Sequence, residues 1–283
     1  MENFTDYYLR NRDKLAAIFF DVDGTISDDG KPLPGAQELF SLLKKDNFPY
    51  LILTNDSCRS CAEKAAHQNR NGLAVSAHNI VSSGDALALW AKEHYRGGCF
   101  FRNGRFGRPD FAAAAGIETT SDPEKIFSCA GVLGGEGAVD MHANLEARFN
   151  FFLRNPDAPY IVPNPDSYWP GGRFGMGFGA GCHAKLIDLL LREAGIKKET
   201  VYLGKPYPPI YDVAMRKLAA DYPGRDFSDR KKIVSLGDSL YADIRGGNAN
   251  GFLSALVLTG ITNRAMADAA QGEFRPKLVF DRL

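Results

Sequence analysis

At 283 residues the chain is long enough for a sizeable core and for two domains. Its 45% hydrophobic and 24% charged residues are an ordinary globular balance, and Lys plus Arg equals Asp plus Glu at 34 each, without the basic excess expected of a nucleic-acid binder. Five scattered cysteines make no disulfide framework, no apolar run approaches the roughly 20 residues of a membrane helix, and Met1 to Lys14 is too polar for a secretory signal, so a cytoplasmic protein without membrane contact is expected.

In chain order, Leu15 to Phe20 reads as an apolar strand ending at Asp21. Pro34 and Gly35 open a helix whose apolar positions Ala36, Leu39, Phe40 and Leu43 follow helical spacing. Tyr50 to Leu53 is a second strand, ending at Thr54 and Asn55, and Ser57 is the expected N-cap of the next helix. Later, a strand at Val201 to Leu203 ends at Gly204 and Lys205, and a helix runs from about Ile210 to Ala220. Ile233 to Leu236 ends at Gly237 and Asp238; a helix around Ala242 to Ala249 and a strand at Leu253 to Leu258 follow. Buried strands separated by helices predict an α/β fold, a doubly wound parallel sheet with helices on both faces, in which ligands bind at the carboxyl ends of the strands.

The middle of the chain carries its own elements: strands at Gly98 to Phe101, Ala130 to Leu133 and Tyr160 to Val162, and a helix near Asn144 to Leu153. This stretch reads as a second α/β domain inserted into the first, giving a core of residues 1–83 and 183–283 and an insertion of residues 84–182.

The chemistry concentrates where strands end. In Asp21-Val22-Asp23-Gly24-Thr25, carboxylates at i and i+2 can leave a strand end pointing into one crevice. One can act as nucleophile while the other moves a proton, and such a pair suits a hard cation such as Mg²⁺. Gly24 lets its backbone N–H approach a phosphate. Read alone, the string could also be an Asx turn after a strand.

Asp21-x-Asp23-Gly24-Thr25 resembles the first motif of the haloacid-dehalogenase superfamily. The other motifs follow in order. Leu51-Ile52-Leu53-Thr54-Asn55 is similar to the second, Gly204-Lys205-Pro206 to the third, and Gly237-Asp238-Ser239 with Asp243 to the fourth. The resemblance implies a phosphohydrolase that cleaves small phosphomonoesters (sugar, nucleotide or organic-acid phosphates) through an aspartyl-phosphate on Asp21. Asp23 would serve as acid and base, and Thr54 would hydrogen-bond a phosphoryl oxygen with Asn55 beside it. Lys205 would neutralise charge, and Mg²⁺ would be held by Asp21, Asp238, Asp243 and the backbone carbonyl of Asp23. The long stretch between Thr54 and Lys205 resembles the C2 α/β cap of the class IIA members, among them nitrophenyl phosphatases and phosphoglycolate phosphatases. Asn164-Pro165-Asp166 is similar to a string near the end of that cap, so Asn164 and Asp166 are implied substrate contacts. Related caps often join two copies, so a homodimer through the cap is a family expectation. A non-catalytic phosphometabolite-binding or regulatory protein on the same scaffold is the alternative.

Two further strings carry less. Gly175-Met176-Gly177-Phe178-Gly179-Ala180 approaches a dinucleotide pattern but lacks a first βαβ unit, so a hinge or tight turn is expected there, leading into a helix from about His183 to Ala194. Cys58-Arg59-Ser60-Cys61 has no second pair for zinc and reads as two ordinary thiols one turn apart in the helix after Thr54.

Overall fold

A computed structural model describes residues 3–137 and 140–283, and its contacts divide the chain into two units. The first comprises Met1–Thr54, Cys61–Val81 and Lys205–Leu283; the second comprises Asn55–Ser60 and Ser82–Gly204.

The first unit is built on a six-stranded sheet in the order Leu278–Phe280, Leu253–Val257, Ile233–Gly237, Ala17–Phe20, Tyr50–Thr54, Ile80–Ser82. Ala17–Phe20 lies parallel to both neighbours, pairing Phe20 with Leu236 on one side and with Ile52 on the other. Alternate side chains of these strands go to opposite faces. Ile18, Phe20, Ile52, Val234 and Leu236 join one buried cluster; Ala17, Phe19, Leu51, Leu53 and Ile233 join another. Both faces are therefore covered, as the near-continuous apolar strands require. The helix Ala36–Lys45 covers the first face through its four expected apolar positions, and Pro208–Asp221 covers the second through Ile210, Tyr211, Ala214 and Leu218. Because the strand order brings Ala17–Phe20 between Tyr50–Thr54 and Ile233–Gly237, Asp21, Thr54 and Asp238 emerge side by side at the carboxyl edge.

An N-terminal helix, Phe4–Asn11, has no counterpart among the expected elements. Phe4, Tyr7 and Tyr8 carry its apolar side, about one helical turn of pattern and too short a period to stand out. Asn3 caps it, Phe4 packs edge-on against Phe20 and Phe280, and the Tyr8 hydroxyl donates to Asp46 at 2.8 Å.

The second unit has a parallel five-stranded sheet in the order Val201–Tyr202, Tyr160–Val162, Gly131–Gly134, Phe100–Asn103, Thr119–Thr120. The helix Met141–Arg154 starts at Asp140, whose carboxylate accepts from the Ala143 N–H. Phe151 and Phe152 from this helix pack with Phe101, Val132, Tyr160 and Val162.

Five expectations change. The insertion does not end at residue 182: the helix Ala180–Glu193 buries Ala180, Ala184, Ile187 and Leu191 in the second unit's core, and the division falls at 204/205. The strand at Val201–Tyr202 pairs with Tyr160–Val162 and so belongs to the second sheet, not to the core sheet. Ser57 caps nothing; the helix runs Cys61–Arg70, and the buried Ser57 hydroxyl has no hydrogen-bond partner. Cys58 accordingly precedes that helix, so the two thiols do not sit one helical turn apart. The glycine-rich string forms the arm of an antiparallel hairpin, Tyr168–Gly172 with Gly175–Phe178, before its helix opens. No helix among the described residues is long and apolar enough to cross a membrane.

Candidate active site

Asp21 follows directly on its strand, and its backbone N–H donates to the Leu236 carbonyl at 2.8 Å, extending the sheet pairing by one residue. Val22 then accepts from the N–H groups of Thr25, Ile26 and Ser27, and this tight turn folds the chain back on itself. Gly24 sits in the left-handed region at φ 77°; a Cβ there would lie 2.5 Å from an Asp238 carboxylate oxygen. Thr25 Oγ1 stands 3.5 Å from Asp21 Oδ2. The Asp23 side chain is exposed.

Lys205 reaches the same point from residue 184 positions later. Its Nζ donates to Asp21 Oδ1 at 2.5 Å and to Asp243 Oδ1 at 2.7 Å. Asp243 lies in a π-helical turn, Leu240–Ile244, and its Oδ2 accepts the Ser239 N–H at 3.1 Å. Asp238 follows the strand Ile233–Gly237, and its Oδ2 accepts the Ile261 N–H at 2.7 Å. One carboxylate oxygen each from Asp21, Asp238 and Asp243 lies within 4.8 Å of the others. Thr54, at the end of the neighbouring strand, is buried.

The electrostatics follow from this crowding. Burial alone would lower the Lys205 pKa, but the charges of Asp21 and Asp243 more than reverse it and hold the ammonium well above its ordinary value. Burial, then the charges of Asp21 and Asp243, raises the Asp238 carboxyl well above the usual carboxylate range. The Asp243 carboxyl is pushed up to about 6 by burial and by Asp21, with Lys205 opposing. Three carboxylates thus face one ammonium, an oxygen-rich set with excess negative charge that fits a hard divalent cation.

Models of known families match both segments that carry these residues: a haloacid dehalogenase-like hydrolase model over residues 18–118, and a second model of the same hydrolase class over residues 202–283. The chain belongs to the haloacid-dehalogenase-like hydrolases. It falls on their phosphatase branch. A 4-nitrophenylphosphatase of Schizosaccharomyces pombe is 29% identical, the match covering 88% of this chain and 86% of the relative. A structure described as a possible sugar phosphatase from Cytophaga hutchinsonii superimposes with a TM-score of 0.82 at 26% identity, covering 100% of this chain and 97% of that one. A glycerol phosphate phosphatase from Mycobacterium tuberculosis, solved in complex with calcium, does so with a TM-score of 0.76 at 25% identity, covering 94% and 73%.

In this hydrolase the remaining expected residues lie in the second unit, where they form one hydrogen-bonded group. Asn55 Nδ2 donates to Asp166 Oδ1 at 2.9 Å, and the Asp166 N–H donates to Asn164 Oδ1 at 2.9 Å. The fold also recruits residues that no motif in the sequence marked. The Ile261 N–H holds Asp238, and Gly260 leaves room for it: a Cβ at Gly260 would fall 1.8 Å from Asp238 Oδ2. The Thr259 hydroxyl donates to the Gly24 carbonyl at 2.6 Å, tying this loop to the turn after Asp21. Gly237, which the fourth motif did mark, makes room in the same way: a Cβ there would lie 2.0 Å from the Asp243 Cγ. Threonine-glycine after an apolar strand, here Leu253–Val257, is the only sequence signal that pointed there.

Proposed function

We propose that this phosphatase cleaves small phosphomonoesters with the Asp21 carboxylate as nucleophile and Mg²⁺ as cofactor. The observation that carries the reading is Lys205, buried and bridging Asp21 to Asp243, with Asp238 completing a three-carboxylate set. Asp21, Asp238 and Asp243 would hold the cation by side-chain oxygens, and Asp23 by its backbone carbonyl. When bound, the cation supplies charge neutralisation at the phosphoryl oxygens.

The chain's own groups do the rest. An Asp21 oxygen attacks phosphorus in line and forms an aspartyl-phosphate as the ester oxygen departs. Asp23, exposed beside it, gives that oxygen its proton. Asp23 then takes a proton from the water that attacks the aspartyl-phosphate, releasing phosphate and restoring Asp21. Thr54 donates its hydroxyl to a phosphoryl oxygen and Lys205 opposes its charge; the Gly24 N–H, expected from the sequence to approach the phosphate, donates instead to the Ser27 carbonyl at 2.9 Å, so Gly24 serves the turn by its conformation. Asn55, Asn164 and Asp166 contribute to substrate recognition.

Release of phosphate from a panel of sugar, nucleotide, organic-acid and nitrophenyl phosphates tests this reading. Turnover should require Mg²⁺ and stop on chelation; turnover unaffected by exhaustive chelation would refute the metal assignment.

Cation affinity should depend on pH in a definite direction. A carboxyl whose folded-state pKa is raised binds its proton more tightly folded than unfolded, so the metal-free protein gains stability as pH falls through about 6, the Asp243 value. Mg²⁺ competes with those protons. The rise in Tm on adding Mg²⁺ should therefore be larger well above that pH than below it, and calorimetry should record proton release on binding near it. A Tm increment independent of pH across that range would contradict the assignment of Asp238 and Asp243 as ligands.

Gly260→Ala should weaken Mg²⁺ by about 10- to 100-fold, the usual consequence of disturbing a group that orients a metal ligand, while the fold survives. Titration calorimetry of the variant checks this, and unchanged affinity would mean that the seat of Asp238 is immaterial.

A further inference from the structure

Arg148 stands in the helix Met141–Arg154 and is, among the described residues, the largest side chain that is fully buried. Its guanidinium folds back along its own helix. Nε donates to the Asn144 carbonyl at 3.0 Å, and Nη1 donates to the Tyr160 hydroxyl at 2.9 Å. Nη2 is buried and has no hydrogen-bond partner. Both contacts are neutral oxygens, and among the described residues no carboxylate pairs with the guanidinium. Two further groups share the shortage. His183, in the first turn of the helix Ala180–Glu193, is 5% exposed, and neither of its ring nitrogens has a partner. Burial and, after it, the charge of Arg148 pull its pKa down to about 4, so the ring is neutral with one N–H, and it lies close enough to feel that charge. Tyr160, in the strand Tyr160–Val162, is also fully buried; its hydroxyl accepts from Arg148, and its own proton finds no acceptor among the described residues. All three side chains belong to the second unit.

A lysine in this position could shed its proton on burial, but an arginine cannot. A buried charge that cannot neutralise itself has to be paired. Water would relieve unmet hydrogen bonds but bring no charge, whereas an anion answers both needs. We propose that Arg148, His183 and Tyr160 hold a small monovalent anion of the chloride class inside the second unit. Arg148 Nη2, the His183 N–H and the Tyr160 O–H are its donors, and its single negative charge balances the guanidinium. A phosphate does not suit the set, because a charge of about −1.5 to −2 on several acceptor oxygens exceeds one cation and three donor groups. The bound anion ties the helix Met141–Arg154 and the helix Ala180–Glu193 to the strand Tyr160–Val162, so the stability of the second unit depends on halide. The inference does not rest on the phosphatase reading and involves none of the aspartate cluster.

Thermal unfolding in sodium chloride and in sodium gluconate at equal ionic strength tests the site, gluconate being too large for it. Chloride at about tenfold over its half-saturating concentration should raise Tm by about 2 °C or more. The rise should saturate and be reproduced by bromide. It should disappear in Arg148→Met, which keeps much of the side-chain volume, and shrink in His183→Phe. A wild-type measurement stands apart from any folding defect of the variants: crystals grown in bromide should show its anomalous scattering beside Arg148 Nη2 and His183. A wild-type Tm that ignores chloride, or no bromide beside Arg148, would overturn the proposal and leave water as the partner of these groups. So would a chloride effect of full size in Arg148→Met, which would place the anion elsewhere.

Discussion

Asp21→Asn should lose activity by about 10⁴-fold or more in kcat, the scale seen when a catalytic nucleophile is removed. The amide has the size and shape of the carboxylate, so packing is kept and the strand position, fixed by the Asp21 N–H bond to Leu236, is untouched. What goes is the electron pair that attacks phosphorus and one of the two carboxylates that hold Lys205. If Asp21 acted only through the cation, the variant would bind Mg²⁺ more weakly but regain activity at saturating metal. If it is the nucleophile, no concentration of Mg²⁺ restores turnover. A second readout separates the cases: wild type quenched in acid after exposure to substrate labelled at phosphorus should carry label on the protein, and Asp21→Asn should carry none. Turnover or protein-bound label surviving in Asp21→Asn would remove the aspartyl-phosphate from the mechanism.

The parts of this site that could be read from the sequence share a physical character. Asp21 and Asp238 each follow a short buried strand and Thr54 ends another, and such strands in an α/β pattern place their carboxyl ends along one edge. Side-chain chemistry at a strand end is visible in one-dimensional text. Backbone chemistry is not: the Ile261 N–H that holds Asp238 could come from any residue, and only the path of the chain after Leu253–Val257 brings it there. Strand membership is similarly hidden. Val201–Tyr202 has the apolar look of a core strand and precedes a motif residue, yet it pairs with Tyr160–Val162, because two residues of pattern carry no information about a partner. The end of the insertion was misplaced for a related reason. The helix Ala180–Glu193 has a clear apolar stripe, but a stripe says that a face is buried and not against which sheet.

Lys205→Met should be costly to stability as well as to activity, and the two losses should respond differently to pH. The lysine side chain is 4% exposed and bridges Asp21 to Asp243, which is itself 4% exposed. Removing one partner from a buried ion pair typically costs about 3–5 kcal/mol, because the remaining charges stay buried without compensation. Methionine fills much of the same volume, so the loss reports charge and not a cavity. Without the ammonium, Asp243 loses the attraction that opposes its burial, and its carboxyl, already at about 6, rises further. A raised carboxyl favours the folded state only where it can be protonated. The variant should therefore regain stability as pH falls through and below that value, and should be least stable relative to wild type at alkaline pH. Mg²⁺ should recover part of the stability by supplying positive charge to the same carboxylates. It should not recover kcat, because the cation does not replace a donor aimed at the phosphoryl group; a loss of about 10²- to 10³-fold is expected from removing one such group. Lys205→Arg should fare little better, since a planar fork cannot occupy the seat of a compact ammonium. Denaturant midpoints at several pH values, with and without Mg²⁺, measure the first effect and phosphate release the second. A Lys205→Met protein as stable as wild type at alkaline pH would mean that Asp21 and Asp243 do not depend on the lysine for their charge balance. The electrostatic account of the site would then have to be rebuilt around Asp238 and the cation.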